Sequence, residues 1–431
     1  MYSTLLFCMM CVAGTGEDLR TPGSSGLVRE GPWRAWLQSP GGELPFGLEF
    51  RMDDSGWHAT IINGAERIDV PQLTVGPTEV VLQIPHYDST ISAKLLDGGK
   101  RLEGEWKKRG RNDKWTKMAF SANAGDTHRF AECKAAGGQR APGKAVAGRW
   151  AMKFTADTDP AIGVFEVGEG ASVVGTVLTP TGDYRYLAGD FCGTQKSSGE
   201  VDGQLRLSAF DGAHAFLMTA TTTDGVTLSG DFWSGDTFHD TWTAKRDESA
   251  TLPDGFTLTR GVETAKLSEV MFPDLEGKKH SLADPAFAGK ARIIEVFGSW
   301  CPNCHDASTY LVELHRKYRG RGLSIVGLAF EYTGDFQRDA EQVRAFAKYH
   351  KIEYPLLLAG VADREKASAA LPIIDKLRAF PTIILLDVEG KDRAVYTGFS
   401  GPATGDEYTK FRAKFESLIE ELLGGPKSDP G

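Results

Sequence analysis

Between about Gly31 and Asp247 apolar and aromatic residues alternate with polar ones in short runs. Turn signals punctuate them about every 8–12 residues: Ser39-Pro40-Gly41-Gly42, Asn63-Gly64, Asp97-Gly98, Asp211-Gly212 and Asp224-Gly225. A period of two sends successive side chains to opposite faces, as half-buried strands require. No stretch there carries a helical apolar period, so the pattern predicts an all-β region. The region also repeats. Gly31-Pro32-Trp33 returns as Gly148-Arg149-Trp150 at an offset of 117 residues, and Trp115-Thr116 returns as Trp242-Thr243 at an offset of 127. These offsets place one copy at 28–124 and the other at 146–248, joined by an Ala-, Gly-, Lys- and Arg-rich linker at 125–145. Each copy has room for about seven or eight strands, enough for a small barrel or sandwich. Trp33, Trp36, Trp57, Trp106, Trp115, Trp150, Trp233 and Trp242 either line a ligand pocket or fill the cores and barrel ends. Packing is the favoured reading.

After Pro253 the pattern changes. Ala291–Phe297 is a nearly continuous apolar run, as a strand buried on both faces should be. The periodicities then predict a helix over 303–318, a strand over 323–330, a helix over 336–350 and a strand over 354–358. A largely helical stretch over 363–378, interrupted near Pro372, follows. Strands at 382–387 and 393–397 flank the Val388–Lys391 turn, and a helix over 406–423 closes the chain, ahead of a tail at 425–431 expected to be disordered. Alternating strands and helices predict an α/β sheet covered on both faces.

The chain has 431 residues, and its length suits two to four domains. With 58 acidic and 49 basic side chains, its net charge is −9. No concentrated basic face is present, which argues against a nucleic-acid partner. No run of about 18 apolar residues exists, so no transmembrane helix is expected. Residues 5–13, LLFCMMCVA, have the length of a signal-peptide core, although Met1-Tyr2-Ser3-Thr4 carries no cation. Export to the periplasm or cell envelope on a signal segment at 1–16 is the favoured reading. A buried strand or frayed end is the other, and Cys8 and Cys11 raise lipidation as a further question.

Chemistry enters at Cys301-Pro302-Asn303-Cys304, between the 291–297 strand and the helix that follows. There the first-turn N–H groups face the Cys301 sulfur, and the helix dipole favours a thiolate. A second sulfur one turn on can resolve a mixed disulfide. Zinc would need a second ligand pair, which is missing nearby. Cys301-Pro-Asn-Cys304-His305 also matches the haem-attachment pattern, but a strand–helix junction is the wrong setting for it. His305 is then expected on the surface of the first helical turn. Whether Cys133 and Cys192 bridge stays open, because spacing alone does not set their separation.

Residues 262–424 resemble the TlpA/ResA-like thiol–disulfide oxidoreductases of the thioredoxin superfamily. The resemblance is carried by Glu295-Val-Phe-Gly-Ser-Trp300-Cys301-Pro-Asn-Cys304, by Phe380-Pro381-Thr382, by the 387–391 turn and by a lead-in at 272–282. It implies that this region is a thioredoxin-fold domain, following the two all-β repeats that the alternation predicts, with Cys301 and Cys304 as a redox-active pair. It implies that Pro381 is the cis-proline facing that pair. Phe380 would offer backbone to an extended substrate, with Trp300, Pro302 and Thr382 beside it. Glu295 falls where the superfamily holds a carboxylate behind the second cysteine. Burial in an apolar strand would raise its pKa and suit it to exchange a proton with Cys304, whereas at a strand edge it would be solvated. No cation stands between the cysteines, so the most oxidising relatives are a poor analogy. The expectation is a reductive enzyme acting on protein disulfides in the cell envelope, fed by a membrane or soluble thiol donor and needing no cofactor. The alternative is a ligand- or partner-binding β protein with a redox-sensing appendage.

Overall fold

The structure, a computed structural model, describes residues 27–131, 139–140, 143–168, 172–262 and 266–425. The leader with Cys8 and Cys11, Cys133 with most of the linker, and the tail from 426 lie outside the described residues. Cys192 is disulfide-bonded.

The first β unit is a nine-stranded antiparallel meander running from Gly31–Ser39 to Trp115–Ala124. It curls until residues 33–37 pair with 120–124. Along Gly42–Asp53 the core takes Leu44, Phe46, Leu48 and Phe50, the period of two seen in the sequence, and Pro45 between the first two is buried as well. The second unit closes completely. Eight antiparallel strands, the first Gly148–Phe154 and the last Phe238–Arg246, form the ring, with 150–154 on 242–246 and 173–175 on 187–189, and the two-residue strand Gly182–Asp183 pairs outside it. Trp33, Trp106, Trp150 and Trp242 are at most 1% exposed inside the two cores, while Trp115 is 37% exposed. The repeat extends to hydrogen bonding. The Trp33 indole donates to the Arg29 carbonyl and the Trp150 indole to the Val146 carbonyl, each 2.9 Å away and four residues upstream. The barrels pack side by side through Phe210, whose ring meets Phe46 at 4.5 Å and whose backbone is held by the Asn63 side chain.

The carboxy-terminal domain is α/β. Its sheet runs Leu356–Val361, Leu323–Glu331, Ala291–Phe297, Thr382–Leu386, Asp392–Thr397. The first three strands are parallel, Thr382–Leu386 runs antiparallel to them, and Asp392–Thr397 reverses again. Alternate residues of the central strand serve two cores. Ile293 and Phe297 pack under helices Pro302–Tyr318, Phe336–His350 and Asp406–Leu422, and Ile294 and Val296 face the layer contributed by residues 270–287 and 367–377. A short hairpin, Met271–Pro273 with Lys279–Ser281, lies in that second layer.

Two expected elements differ. The helix expected over 363–378 is confined to Arg364–Ala370. Leu371 precedes Pro372, and a residue before proline is pushed out of the helical region. The strand expected from 354 begins at Leu356, after Pro355.

Candidate active site

Cys301 is the N-cap of the Pro302–Tyr318 helix, and its sulfur accepts from the Cys304 N–H at 3.4 Å. Pro302 suits the first helical position because its missing N–H has no partner to lose there. The turn before the helix is tightly held. Cys301 N donates to the Gly298 carbonyl at 3.1 Å. The Glu331 carboxylate, from the end of the neighbouring strand, accepts from Ser299 N at 2.8 Å and from Ser299 Oγ at 2.7 Å. From the other side His305 meets the Ser299 carbonyl at 2.8 Å. Burial pushes the Glu331 carboxyl up to about 8.

Both cysteines are free thiols, Cys301 6% exposed and Cys304 fully buried. The Cys301 sulfur lies 3.5 Å from the Phe380 carbonyl, and the Phe380–Pro381 peptide is cis. Thr382 is buried and donates to the Ala379 carbonyl at 2.9 Å, closing that loop. Trp300 is half-buried, anchored by its indole on the Phe330 carbonyl at 2.9 Å and stacked on Tyr332. Cys301, Cys304, Trp300, Pro302, Phe380 and Pro381 thus come together at one end of the sheet.

Glu295 lies on the central strand, fully buried and not at an edge. Its carboxyl accepts from Ser308 Oγ at 2.6 Å and from the Tyr354 hydroxyl at 3.1 Å. Burial outweighs these bonds and lifts it to about 7. Burial, reinforced by the nearby Cys301 sulfur and the Glu295 charge, raises the Cys304 thiol well above the ordinary range.

His305 departs from expectation. It is 4% exposed rather than at the surface, with Nδ1 2.6 Å from His350 Nε2 and its ring against Tyr87 of the first barrel. A first-turn position is exposed only when nothing docks on it, and here the barrels do. Glu331 was also beyond the reach of periodicity. A carboxylate closing the apolar run Leu323–Phe330 was the one available signal for Glu331.

A cysteine sulfur at a helix N-terminus, a second sulfur buried one turn on and a cis-prolyl loop opposite come together on this α/β fold. Residues 253–408 match the Redoxin family. A thiol-disulfide oxidoreductase ResA of Bacillus thuringiensis subsp. konkukian is 28% identical over 164 residues, spanning 36% of this chain and 86% of its own. The ResA of Geobacillus thermodenitrificans is 26% identical over 130 residues, 30% of this chain and 66% of its own. A solved thiol:disulfide interchange protein of Chlorobium tepidum TLS, described as a thioredoxin family protein, shares 22% identity over 36% of this chain and 92% of its own, with a TM-score of 0.27. The carboxy-terminal domain thus resembles the TlpA/ResA-like oxidoreductases of the thioredoxin superfamily.

Proposed function

We propose that the protein reduces protein disulfides in the cell envelope through Cys301 and Cys304. The observation that carries this reading is the position of the Cys301 sulfur, 3.5 Å from the Phe380 carbonyl and backed by the fully buried Cys304. The Cys301 thiolate attacks one substrate sulfur, forming a mixed disulfide and expelling the other sulfur as a thiolate that takes a proton from solvent. Glu295, ionised, accepts the Cys304 proton. Cys304 then attacks the Cys301 sulfur, closing the Cys301–Cys304 disulfide and expelling the second substrate sulfur as a thiolate, which takes up the proton held by Glu295. A membrane or soluble dithiol donor returns the pair to its reduced state. Export rests on the apolar stretch at residues 5–13; among the described residues no helix is long and apolar enough to cross a membrane.

The binding-protein alternative would place a ligand inside the barrels. Their interiors are filled by Trp33, Phe50 and Trp106 and by Trp150, Phe165 and Trp242, which favours the exchange reading. Insulin-disulfide reduction by the full chain, lost in Cys301→Ser, is the expected result. Undiminished reduction by that variant would move the chemistry elsewhere.

A further inference from the structure

We infer that the tandem barrels are a cap docked on the exchange face, and that a protein disulfide reaches Cys301 only after the cap lifts. The inference rests on the exchange reading of the cysteine pair.

Three sets of contacts hold the cap. Arg185, from the second barrel, donates through Nη1 to the Pro302 carbonyl at 3.0 Å and pairs with Asp306 at 2.8 Å. Its Nη2 reaches Glu66 of the first barrel at 2.7 Å. One guanidinium, 11% exposed, therefore ties both barrels to the turn between the two cysteines. Beside it, Asp183 accepts from Gly401 N at 2.7 Å, and Gly182 comes so close that a Cβ there would stand 3.0 Å from the Asn303 amide. On the other flank the Gln342 amide donates to the Pro85 and His86 carbonyls at 3.1 and 2.9 Å. His86 stacks on Tyr349 at 3.7 Å, and Arg338 pairs with Asp88.

The docked cap leaves little room. The crevice between Tyr87–Asp88 and the Trp300–Tyr332 edge encloses about 20 Å³, space for about one water molecule. An extended peptide laid against the Phe380 backbone needs a lane about 4.8 Å wide, and in the docked arrangement Cys301 is only 6% exposed. The attachment is nevertheless releasable in kind. These contacts are ion pairs, amide–carbonyl bonds and imidazole–phenol stacks rather than interlocked aliphatic side chains, the character of domain interfaces that come apart. The covalent connection crosses once, after the last barrel strand ends at Arg246.

The test uses the reduced full-length protein. Labelling of Cys301 by iodoacetamide is compared with labelling by a poly(ethylene glycol) maleimide of protein-like bulk, both calibrated on the urea-unfolded chain. The cap predicts that the bulky reagent lags on the folded wild type by ~10-fold or more, since only the open fraction reacts with it. Arg338→Glu with Gln342→Ala removes one flank without touching the cysteine turn. It should close most of that gap and raise insulin reduction by a similar factor, leaving reduction of a low-molecular-mass aromatic disulfide unchanged. A bulky reagent that keeps pace with iodoacetamide on the wild type overturns the cap, whether or not the double variant folds. Failure of the exchange reading looks different: neither disulfide is reduced, while the labelling ratio still reports the cap.

Discussion

Ser308 Oγ donates to Glu295 Oε1 over 2.6 Å, one helical turn beyond Cys304. The bond holds a fully buried carboxyl of the central strand against the helix that carries Cys304. Glu295→Gln keeps the shape and an acceptor for Ser308 but cannot titrate. First attack by Cys301 should be nearly unaffected, and resolution of the mixed disulfide should slow by ~10²–10⁴-fold. Stopped-flow resolution at the wild-type rate across pH 6–9 would make the carboxyl a bystander.

The same variant carries a stability signature. The Glu295 carboxyl moves from 4.5 to about 7 on folding, so between those values the folded state binds more protons than the unfolded one. Wild-type stability is therefore lost as pH rises through that window. Glu295→Gln escapes this loss and should gain on the order of 3 kcal/mol at pH 8 relative to its effect at pH 4. Denaturant titrations at the two pH values measure it. An equal effect at both would show that the carboxyl does not titrate in that range.

Cys301 should be alkylated before Cys304. The first is 6% exposed and the second fully buried, with its thiol pushed up by that burial, so the thiolate that reacts is scarcer and harder to reach at Cys304. Peptide mapping after brief iodoacetamide treatment near neutral pH settles the order. Earlier labelling of Cys304 would reverse the roles of nucleophile and resolver.

Glu331 should matter to the cysteine turn although it touches neither sulfur. Its carboxylate holds the N–H and hydroxyl of Ser299, two residues before Cys301. Glu331→Ala strands those buried donors and should cost about 1–3 kcal/mol, with slower attack by Cys301. Glu331→Gln, which retains an acceptor, should recover much of the loss. If both variants match the wild type in unfolding and in attack rate, the pin is dispensable.

Acid should weaken the fit between the first barrel and the exchange domain. His86, His305 and His350 cluster there with the Asp211 carboxylate and the Arg185 guanidinium near them. Burial drives His86 and His350 down to about 3 and His305 well below its usual value. Between about 6.5 and about 3 the unfolded chain binds more protons, so their contribution is lost as pH falls through that range. His86→Phe keeps a ring on Tyr349 and removes one titration. The drop in Tm from pH 7 to pH 4.5 should be smaller in this variant than in wild type, and an identical drop would acquit His86.

How much of this was readable in advance depends on whether a residue's surroundings are local. The ends of Ala291–Phe297 and Phe336–His350 coincide with the periodicity. An unbroken apolar run marks the first and the helical period the second, and the structure adds Asp335 as the N-cap of the second, its side chain accepting from the Arg338 N–H at 2.8 Å. Cys301 and Cys304 were legible because a strand–turn–helix setting is written within ten residues. The 363–378 stretch was misjudged because helical periodicity continued past a proline that ends the helix. His305 was misjudged for a different reason: its burial is supplied by Tyr87, 218 residues upstream. Arg185 is the same case, a loop residue whose partners come from three domains.

The seam of the first barrel bears on how the molecule avoids sticking to itself. The second barrel is a closed ring, but the first is interrupted between Glu66–Asp69 and Gln72–Val75. Among the described residues, these two four-residue strands are therefore the termini of its hydrogen-bond ladder. A ladder terminus is a template on which a foreign strand can grow. Here Pro71, without an N–H to offer, stands between the two strands, and Glu66, Arg67 and Asp69 put charge along one of them. Replacing Arg67 and Asp69, which take no part in the Arg185 contact, with valine or threonine would turn a protected gap into a nucleus for fibrillar polymerisation, with the redox chemistry untouched.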